Sequence, residues 1–558
     1  MKTVNAPQEG PLRRIGTTRE VTLGLLLVLS LAAARVVFLP DAATDGGDSV
    51  SRVWGSIRWL EDPHLITHGV WGPLHTYLIA FALWIWPDPI SGSVGLHVLM
   101  GVATPLLVFA LTRTAIAGPR AALLVAATYA IYPIAIRNSL SVRSEVPFVL
   151  LLLVAMIFVE LARRDGGSWK QAVAAGIALT LAAMLRYEAW MLIPFLAALL
   201  WRKPRLMSVF IVCALIHPAF WMVGNGIHSG DPLYSINWAT RWEQEGMGKA
   251  MIPLRARILE ALKYTGTILR GMTLPVGAIA LAGAAVALIK RERCRVWLLP
   301  VAGLALLLTW SIARGALVPK VNYTATIGTM LFPFAAVIWR RLGVEGWPVS
   351  RVLGLGAVVI GSMVFSARWT WMNAIGLAEL KSIDPVPTIQ NQETALTLPA
   401  IINRHMPTEP ALINDFYGWG ARSWVAFLTR IEPERIWLVQ GAPNRDMDLE
   451  RMSAFLARHP EGILVVLEGS RLWKAIGLEA AKTASVGELT LLLEEVDRVP
   501  WPPGDPPHHL DLFRYRVEKT DAEHRGGGRE KPAEILSCGR VPRAVPVKGH
   551  RPTGAVTG

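Results

Sequence analysis

Apolar runs of roughly membrane-spanning length follow one another through the first two thirds of the chain. A helix needs about 20 mainly apolar residues to cross the hydrocarbon core of a bilayer. Lys and Arg gather in every second turn between these runs, as they do in cytoplasmic loops. The pattern therefore predicts eleven spans: Val21–Pro40, Gly92–Leu111, Ala121–Ile136, Val146–Val159, Ala172–Leu185, Ala189–Trp201, Leu206–Val223, Met272–Ile289, Val296–Ile312, Tyr323–Trp339 and Val352–Phe365.

One further apolar segment, Pro73–Trp86, would break the alternation of basic turns if it also crossed. It is short, begins at a proline and contains His75. We therefore predict that it lies at the outer surface of the membrane. This assignment puts the N-terminus inside and everything after about residue 370 outside.

The pattern changes after about residue 388 to short apolar runs that alternate with amphipathic ones. This alternation predicts a small, mostly parallel sheet with covering helices. After Arg516 the chain is rich in Gly, Pro, Lys and Arg, which predicts a disordered tail. The predicted strands are Ala411–Asp415, Arg435–Val439, Gly462–Leu467 and Leu489–Glu494, and the predicted helices are Ser423–Thr429 and Leu449–Arg458.

The fold class expected from these patterns is a polytopic α-helical membrane protein with a C-terminal soluble α/β domain. We predict a cytoplasmic N-terminus over residues 1–20 and a multi-span domain over 21–370. An extracytoplasmic α/β domain would follow over 371–516, and a disordered basic tail over 517–558.

Composition supports this assignment. Of the 558 residues, 52% are hydrophobic and only 18% are charged, with a mean hydropathy of +0.38. Soluble proteins carry about 25% charged residues, so a cytoplasmic soluble enzyme is excluded. The net charge of +14 is explained by basic cytoplasmic loops, and we expect no nucleic-acid partner. The three cysteines predict neither a disulfide framework nor a metal cluster.

The first outer loop carries two carboxylates close after the first span. Asp48 precedes Arg52 by one helical turn, a spacing at which the two side chains meet on a helix. Asp45 lies three residues earlier, and a turn followed by a helix cap explains it equally well.

Other ionisable residues fall at the same predicted face, on turns between different spans. Charged groups close to hydrocarbon are costly, so several of them converging there indicate a site. Arg186 and Glu188 could instead satisfy each other or extend to the interface. The cations of this set would suit a phosphate, which arginine binds through two parallel hydrogen bonds. The set comprises His75, Arg137, Arg143, Glu145, Arg186, Glu188, Arg314, Lys320 and Tyr323.

Several short motifs carry a resemblance to a known family. The chain resembles the GT-C class of membrane glycosyltransferases, and is similar to family-39-type and protein O-mannosyltransferase-like enzymes, over roughly Val21–Phe365. The motifs are the acidic first loop with Asp48 and Arg52, the Pro-aromatic segment Val70–Tyr77, Tyr132-Pro133, Ser144-Glu145 and Arg186-Tyr187-Glu188.

The resemblance implies transfer of a sugar from a polyprenyl-phosphate donor to a glycan, lipid or protein acceptor. The reaction would occur at the extracytoplasmic face of the inner (plasma) membrane and invert the anomeric centre. Because a lipid phosphate is a good leaving group, one general base suffices. We expect Asp48 in that role, with Asp45 and Glu145 as the next candidates. Arg52 and the residues of the set above, from His75 to Tyr323, would contact the substrates. No cofactor is identified, and a divalent metal between Asp48 and Glu145 is left open.

Two other functions fit a chain of this kind. A transporter or flippase would also have many spans, but transporters usually show internal repeats and helices broken near the midplane. The charges here gather at one face, which favours a transferase. A non-catalytic cell-envelope assembly protein, with the C-terminal domain as its working part, would tolerate replacement of the outer carboxylates.

Overall fold

The computed structural model describes two parts of the chain. In the helical part it describes residues 11–38, 47–246, 252–317 and 321–373. In the C-terminal part it describes residues 411–415, 435–438, 449–468, 471–478, 483–500 and 509–518. The predicted helix Ser423–Thr429 lies outside these ranges. The predicted tail also lies outside them, except for residues 517 and 518, which belong to the last strand and contradict the prediction of disorder there.

Helices make up most of the described chain up to residue 373. In the first half they are α1 (Pro11–Ala33), α2 (Gly47–Glu61), α3 (Leu74–Ile85), α4 (Pro89–Ala115), α5 (Pro119–Ala130), α6 (Pro133–Leu140), α7 (Glu145–Arg163), α8 (Trp169–Ala183) and α9 (Glu188–Ala198). They continue as α10 (Pro204–Ser229), α11 (Tyr234–Arg241), α12 (Leu254–Gly271), α13 (Leu274–Ile289), α14 (Leu298–Ala313), α15 (Val321–Leu331), α16 (Ala335–Arg341) and α17 (Val349–Asn373).

Within the described ranges, four helical stretches are long and apolar enough to cross a membrane. They are Ser91–Ala115, Glu145–Arg163, Pro204–Ser229 and Arg293–Ala313, and α5 with α6 forms a bent pair that would make a fifth. Several predicted spans coincide with apolar helices that are shorter than about 20 residues, among them α9 and α13. The chain is thus a multi-pass helical protein, and the count of eleven spans stays a prediction.

The predicted span Ala121–Ile136 is broken in two. Tyr132 adopts an extended backbone with φ −63° and ψ 114°, and α5 and α6 meet there at 53°. Pro133 explains the break, because proline lacks an N–H and disfavours helix in the residue before it. As a consequence Arg137, expected in an outer turn, lies on the short helix α6.

Arg35 stabilises this break. Its side chain is buried, and Nη2 donates to the carbonyl of Ala130 at the end of α5, at 3.2 Å. Nη1 donates to Ser139 Oγ at 2.9 Å, and Nε to the Ala32 carbonyl at 2.7 Å. Because the last carbonyls of a helix have no partner within it, the guanidinium caps α5 and ties it to α6.

We expect Arg35→Leu to lower the free energy of unfolding by about 2–4 kcal/mol, because polar groups at the break lose their partner. Thermal unfolding of the purified protein in detergent measures the loss. Ser30→Ala on α1 is the matched control, since Ser30 is exposed and its hydroxyl donates to the Leu26 carbonyl of its own helix. An Arg35→Leu variant as stable as the Ser30→Ala variant would contradict this role.

The basic turns converge on one face of the helical part. Arg120 pairs with Glu20, which lies at the end of the N-terminal basic segment, at 2.8 Å. Alternation of basic turns predicts this common face. Contacts that join the other turns are Arg120 Nη1 to the Glu345 carbonyl at 2.6 Å, Arg341 Nη2 to Glu292 at 2.7 Å, Trp297 Nε1 to Glu160 at 3.1 Å and Lys203 Nζ to the Ala162 carbonyl at 3.1 Å.

Helix α3 covers most of the segment predicted not to cross. Its 12 residues would extend about 18 Å at 1.5 Å per residue, less than the roughly 30 Å hydrocarbon core. Its length fits a helix packed at the outer surface, but α9, which coincides with a predicted span, is similarly short, so the placement of α3 stays a prediction.

Single cysteines at Asp62 and Ser91, exposed positions on either side of α3, test this topology in a background without the three native cysteines. Both should react with a membrane-impermeant thiol reagent added from outside. A cysteine at the exposed Asp165, in a basic turn, should react only after the membrane is opened. Protection of the Ser91 position until that point would show that α3 crosses.

The C-terminal part forms a six-stranded sheet in the order β2-β1-β3-β6-β5-β4. Strands β2, β1 and β3 are parallel, whereas the β3–β6, β6–β5 and β5–β4 pairs are antiparallel. The sheet is therefore mixed, and the prediction of a mostly parallel sheet is wrong. The strands are β1 (Ala411–Asp415), β2 (Ile436–Leu438), β3 (Glu461–Leu467), β4 (Thr483–Val486), β5 (Leu489–Pro500) and β6 (His509–Glu518), with helices Leu449–Arg458 and Arg471–Ala475.

Candidate active site

Ionisable side chains from several helices meet at the end of the helical part that lies opposite the basic turns. Helix α7 relates the two ends, since Glu145 begins it while Glu160 contacts the basic face near its C-terminus. Fifteen residues of helix separate these positions by about 22 Å. The converging side chains are Arg52 on α2, His75 on α3, His97 on α4, Glu145 on α7, and Arg186 and Glu188 at the start of α9.

Arg186 is the centre of the cluster. Nη1 lies 2.8 Å from Glu145 Oε1, and Nη2 lies 2.6 Å from Glu188 Oε1. Nε also donates to Glu188 Oε1 at 2.9 Å, and Nη1 lies 3.3 Å from Ser144 Oγ. The side chains of Arg186, Glu145 and Glu188 are only 11%, 8% and 10% exposed. Two carboxylates thus share one guanidinium, which leaves the trio with a net negative charge.

This arrangement brings together three of the residues selected from the sequence. The alternative in which Arg186 and Glu188 satisfy each other is the one that the geometry realises, with Glu145 added. Because all three guanidinium nitrogens contact these groups, Arg186 holds carboxylates in position in this structure.

Arg52 lies in a second set of contacts next to this trio. Its guanidinium carbon is 4.8 Å from the ring centre of Trp71, a cation–π distance. Nη1 lies 3.0 Å from His75 Nδ1, and His75 Nε2 lies 2.8 Å from His97 Nε2. Burial first, and then the positive charge of Arg52, hold the pKa of His75 well below its ordinary value, so this ring is neutral. Arg186 also acts electrostatically on His75, which links the two sets.

Hydrogen bonds to backbone carbonyls fix the first outer loop against the turn that carries Arg186. Tyr187 Oη donates to the Val70 carbonyl at 2.7 Å, and the Leu74 amide donates to the Met184 carbonyl at 3.2 Å. Gly72 makes this approach possible, because a Cβ there would lie 2.2 Å from the Met184 oxygen. The Pro-aromatic segment therefore positions Trp71 and His75 over the site.

The remaining selected residues have varied positions. Asp45 and Lys320 lie outside the described residues, and Asp48 and Tyr323 lie on α2 and α15 with side chains that are not described. Arg137 and Arg143 are half-buried, and Arg143 Nε donates to Ser141 Oγ at 3.2 Å.

Arg314 is not brought into the cluster by the contacts of the described chain. It is exposed at the end of α14, with its guanidinium 5.8 Å from the Trp310 ring centre. Among the described residues, no group of three or more His, Cys, Asp or Glu side chains could hold a metal ion. A metal between Asp48 and Glu145 involves a side chain outside that description and stays a prediction.

Sequence reasoning missed His97 and Trp71. His97 lies inside a long apolar run, where a single histidine is easily taken for a packing residue. The useful signal is that His75 is also a lone histidine in an apolar segment, since buried imidazoles need polar partners. Only the structure shows that the two rings meet.

The chain is similar to a known protein family and to solved structures. Residues 68–223 match the family model described as dolichyl-phosphate-mannose-protein mannosyltransferase. No curated protein sequence matches the chain. ArnT from Cupriavidus metallidurans, in the crystal structure bound to undecaprenyl phosphate, aligns with a TM-score of 0.59 at 12% identity, covering 88% of this chain and 97% of ArnT.

The apo form of ArnT gives the same TM-score of 0.59 at 12% identity, over 89% of this chain and 98% of ArnT. The archaeal oligosaccharyltransferase AglB from Archaeoglobus fulgidus has a TM-score of 0.46 at 15% identity, over 79% of this chain and 69% of AglB. The chain therefore has the fold of GT-C membrane glycosyltransferases and matches their mannosyltransferase family over residues 68–223, which confirms the resemblance predicted from its motifs.

Proposed function

We propose that this protein transfers a sugar from a polyprenyl-phosphate donor to a glycan, lipid or protein acceptor at the extracytoplasmic face of the inner (plasma) membrane. The observation that carries the proposal is the convergence of Arg52, Glu145, Arg186 and Glu188 at the end of the helices opposite the basic turns. The family match and the undecaprenyl phosphate bound by ArnT support the same class of donor.

The donor phosphate would be held by cations around this cluster. Arg52 and Arg143 are the nearest candidates, because both act electrostatically on Glu145. A leaving phosphate gains negative charge as its bond to the sugar breaks, and preorganised cations stabilise that charge. Arg186 contributes by fixing Glu145 and Glu188, so we assign it a positioning role.

Arg137 on α6 and Tyr323 on α15 would extend the phosphate site, and Lys320, which precedes α15 in the sequence, is proposed to bind the donor with them. Tyr132 packs closely against α15, because a Cβ at Gly328 would lie 2.6 Å from the Tyr132 hydroxyl oxygen. Arg137 lies further along the chain from this contact, while Tyr323 and Lys320 lie just before it. Arg137 and Tyr323 are therefore proposed to lie at one level of the membrane. Arg314, at the end of α14, is proposed to act at the rim.

Asp48 is the proposed general base, with Asp45 and then Glu145 as alternatives. Its position on α2 lies one turn before Arg52, whose guanidinium belongs to the site. Glu145 is less suited because Arg186 already occupies one of its oxygens. The acceptor oxygen attacks the anomeric carbon while Asp48 takes its proton. The bond from that carbon to the phosphate oxygen breaks, and the polyprenyl phosphate leaves with the electron pair.

A single displacement of this kind inverts the anomeric centre. The test uses purified protein, polyprenyl-phosphate sugars of known anomeric configuration and NMR analysis of the product. We expect the product to have the opposite configuration to the donor. Retention would indicate two displacements through a covalent intermediate and would overturn the one-base mechanism.

A further inference from the structure

The histidine pair beneath Arg52 forms a connected chain across three helices. Arg52 contributes from α2, His75 from α3 and His97 from α4. The three contacts measure 3.0 Å from Arg52 Nη1 to His75 Nδ1, 2.8 Å between the two Nε2 atoms, and 2.7 Å from His97 Nδ1 to the Ser93 carbonyl. Both rings are buried, at 1% and 0% exposure. Each of the four ring nitrogens takes part in one of these three contacts.

Chemistry allows only one direction for the hydrogen bonds in this chain. A guanidinium cannot accept, so His75 Nδ1 must be the acceptor from Arg52. A carbonyl cannot donate, so His97 Nδ1 must carry a proton for Ser93. In the neutral rings His75 Nε2 then donates to His97 Nε2, and all three bonds are satisfied. Protonating His75 would place its Nδ1–H against the N–H of Arg52, and protonating His97 would place its Nε2–H against the Nε2–H of His75.

We propose that His75 and His97 are positioning residues, which hold the Arg52 guanidinium in the active site through these three hydrogen bonds of fixed direction. The inference rests on the proposed function for its catalytic meaning. Trp71 covers the face of the same guanidinium at 4.8 Å, so Arg52 is constrained on its face by the indole and on its edge by His75. His97 acts at one remove, by fixing the tautomer in which His75 accepts.

A chemical test reads the position of Arg52 without any assay of transfer. Phenylglyoxal modifies guanidinium groups, and peptide mass spectrometry gives the rates at Arg52 and at the exposed Arg58 of the same helix. We expect His75→Leu to raise the Arg52 rate about tenfold and His97→Leu about fivefold, as for loss of a bond to a charged group. Arg58 should be unaffected. His97→Gln should restore most of the protection, because its amide oxygen can accept from His75.

The double variant provides the decisive comparison. If His97 acts only through His75, adding His97→Leu to His75→Leu should change the Arg52 rate no further. Thr104→Val, two turns along α4 from His97, is the matched control, since the Thr104 hydroxyl donates to the Met100 carbonyl of its own helix. An Arg52 rate that is unchanged in His75→Leu, or independent effects of the two histidines, would overturn the proposal.

Transfer kinetics then separate this inference from the proposed function. In the His97→Leu variant, kcat/KM for the donor should fall by about the same factor as the labelling rate rises, with the KM for the acceptor unchanged. The labelling pattern without transfer by the parent protein would defeat the proposed function and leave the positioning chain standing. Transfer by the parent protein, with Arg52 labelling unchanged in the histidine variants, would defeat the positioning inference and leave the proposed function standing.

Discussion

Asp48→Asn should lower the rate of sugar transfer by about 10²–10⁴-fold while the donor lipid still binds. The substitution keeps the shape of the side chain and removes its ability to take the acceptor proton. Initial rates with labelled donor, together with binding of undecaprenyl phosphate measured as thermal stabilisation, separate the two effects. The position lies on α2 one turn before Arg52, next to the described cluster.

Two further substitutions in the same loop serve as comparisons. Asp45→Asn should reduce the rate less than Asp48→Asn does. Asp62→Asn, at an exposed position just past the end of α2, should leave the rate at the parent value. If the Asp48→Asn protein folds and transfers sugar at nearly the parent rate, the base lies elsewhere and Glu145 becomes the candidate.

Arg186→Ala should destabilise the protein by about 3–5 kcal/mol, because it removes the guanidinium that contacts both buried carboxylates. Glu145 and Glu188 are 8% and 10% exposed, so water compensates little. Transfer should be lost together with stability. Arg186→Lys should recover only part of both, since an ammonium cannot reproduce the fork that reaches both carboxylates.

Two variants control for this interpretation. The exposed Arg58, replaced by Ala, should change stability by less than about 0.5 kcal/mol. Adding Glu188→Gln to Arg186→Ala removes one of the unpaired charges and should recover part of the loss. Thermal unfolding in detergent measures the stability of all four variants. An Arg186→Ala variant as stable as Arg58→Ala would mean that the carboxylates are neutral or solvated.

The elements that the sequence predicted well are those with a strong local signal. Ala411–Asp415 is a short buried run and is a strand at those same bounds. Strand β6 was missed because Asp511, Arg514 and Arg516 interrupt its apolar residues and resemble a polar tail. The break at Tyr132 has a local cause in Pro133. The apolar run around it is nevertheless long enough to be predicted as one helix.

The candidate site shows the same division between local and tertiary information. Glu145, Arg186 and Glu188 were found because a charge beside an apolar run is costly wherever it occurs. His97 and Trp71 were not found, because their roles depend on contacts with Arg52 and His75 across different helices. The pairing of Arg186 with both carboxylates likewise required the packing of α7 against α9. This pairing moves our expectation for Arg186 from phosphate binding to positioning.

The most direct test of the central claim is a comparison of donors with the purified protein in liposomes. Polyprenyl-phosphate sugars and the matching nucleotide sugars, labelled in the sugar, are offered with extracted cell-envelope acceptors. The account predicts that label moves to the acceptor from a polyprenyl-phosphate sugar and not from its nucleotide counterpart. Transfer from nucleotide sugars alone, or movement of labelled lipid across the bilayer without transfer, would contradict it.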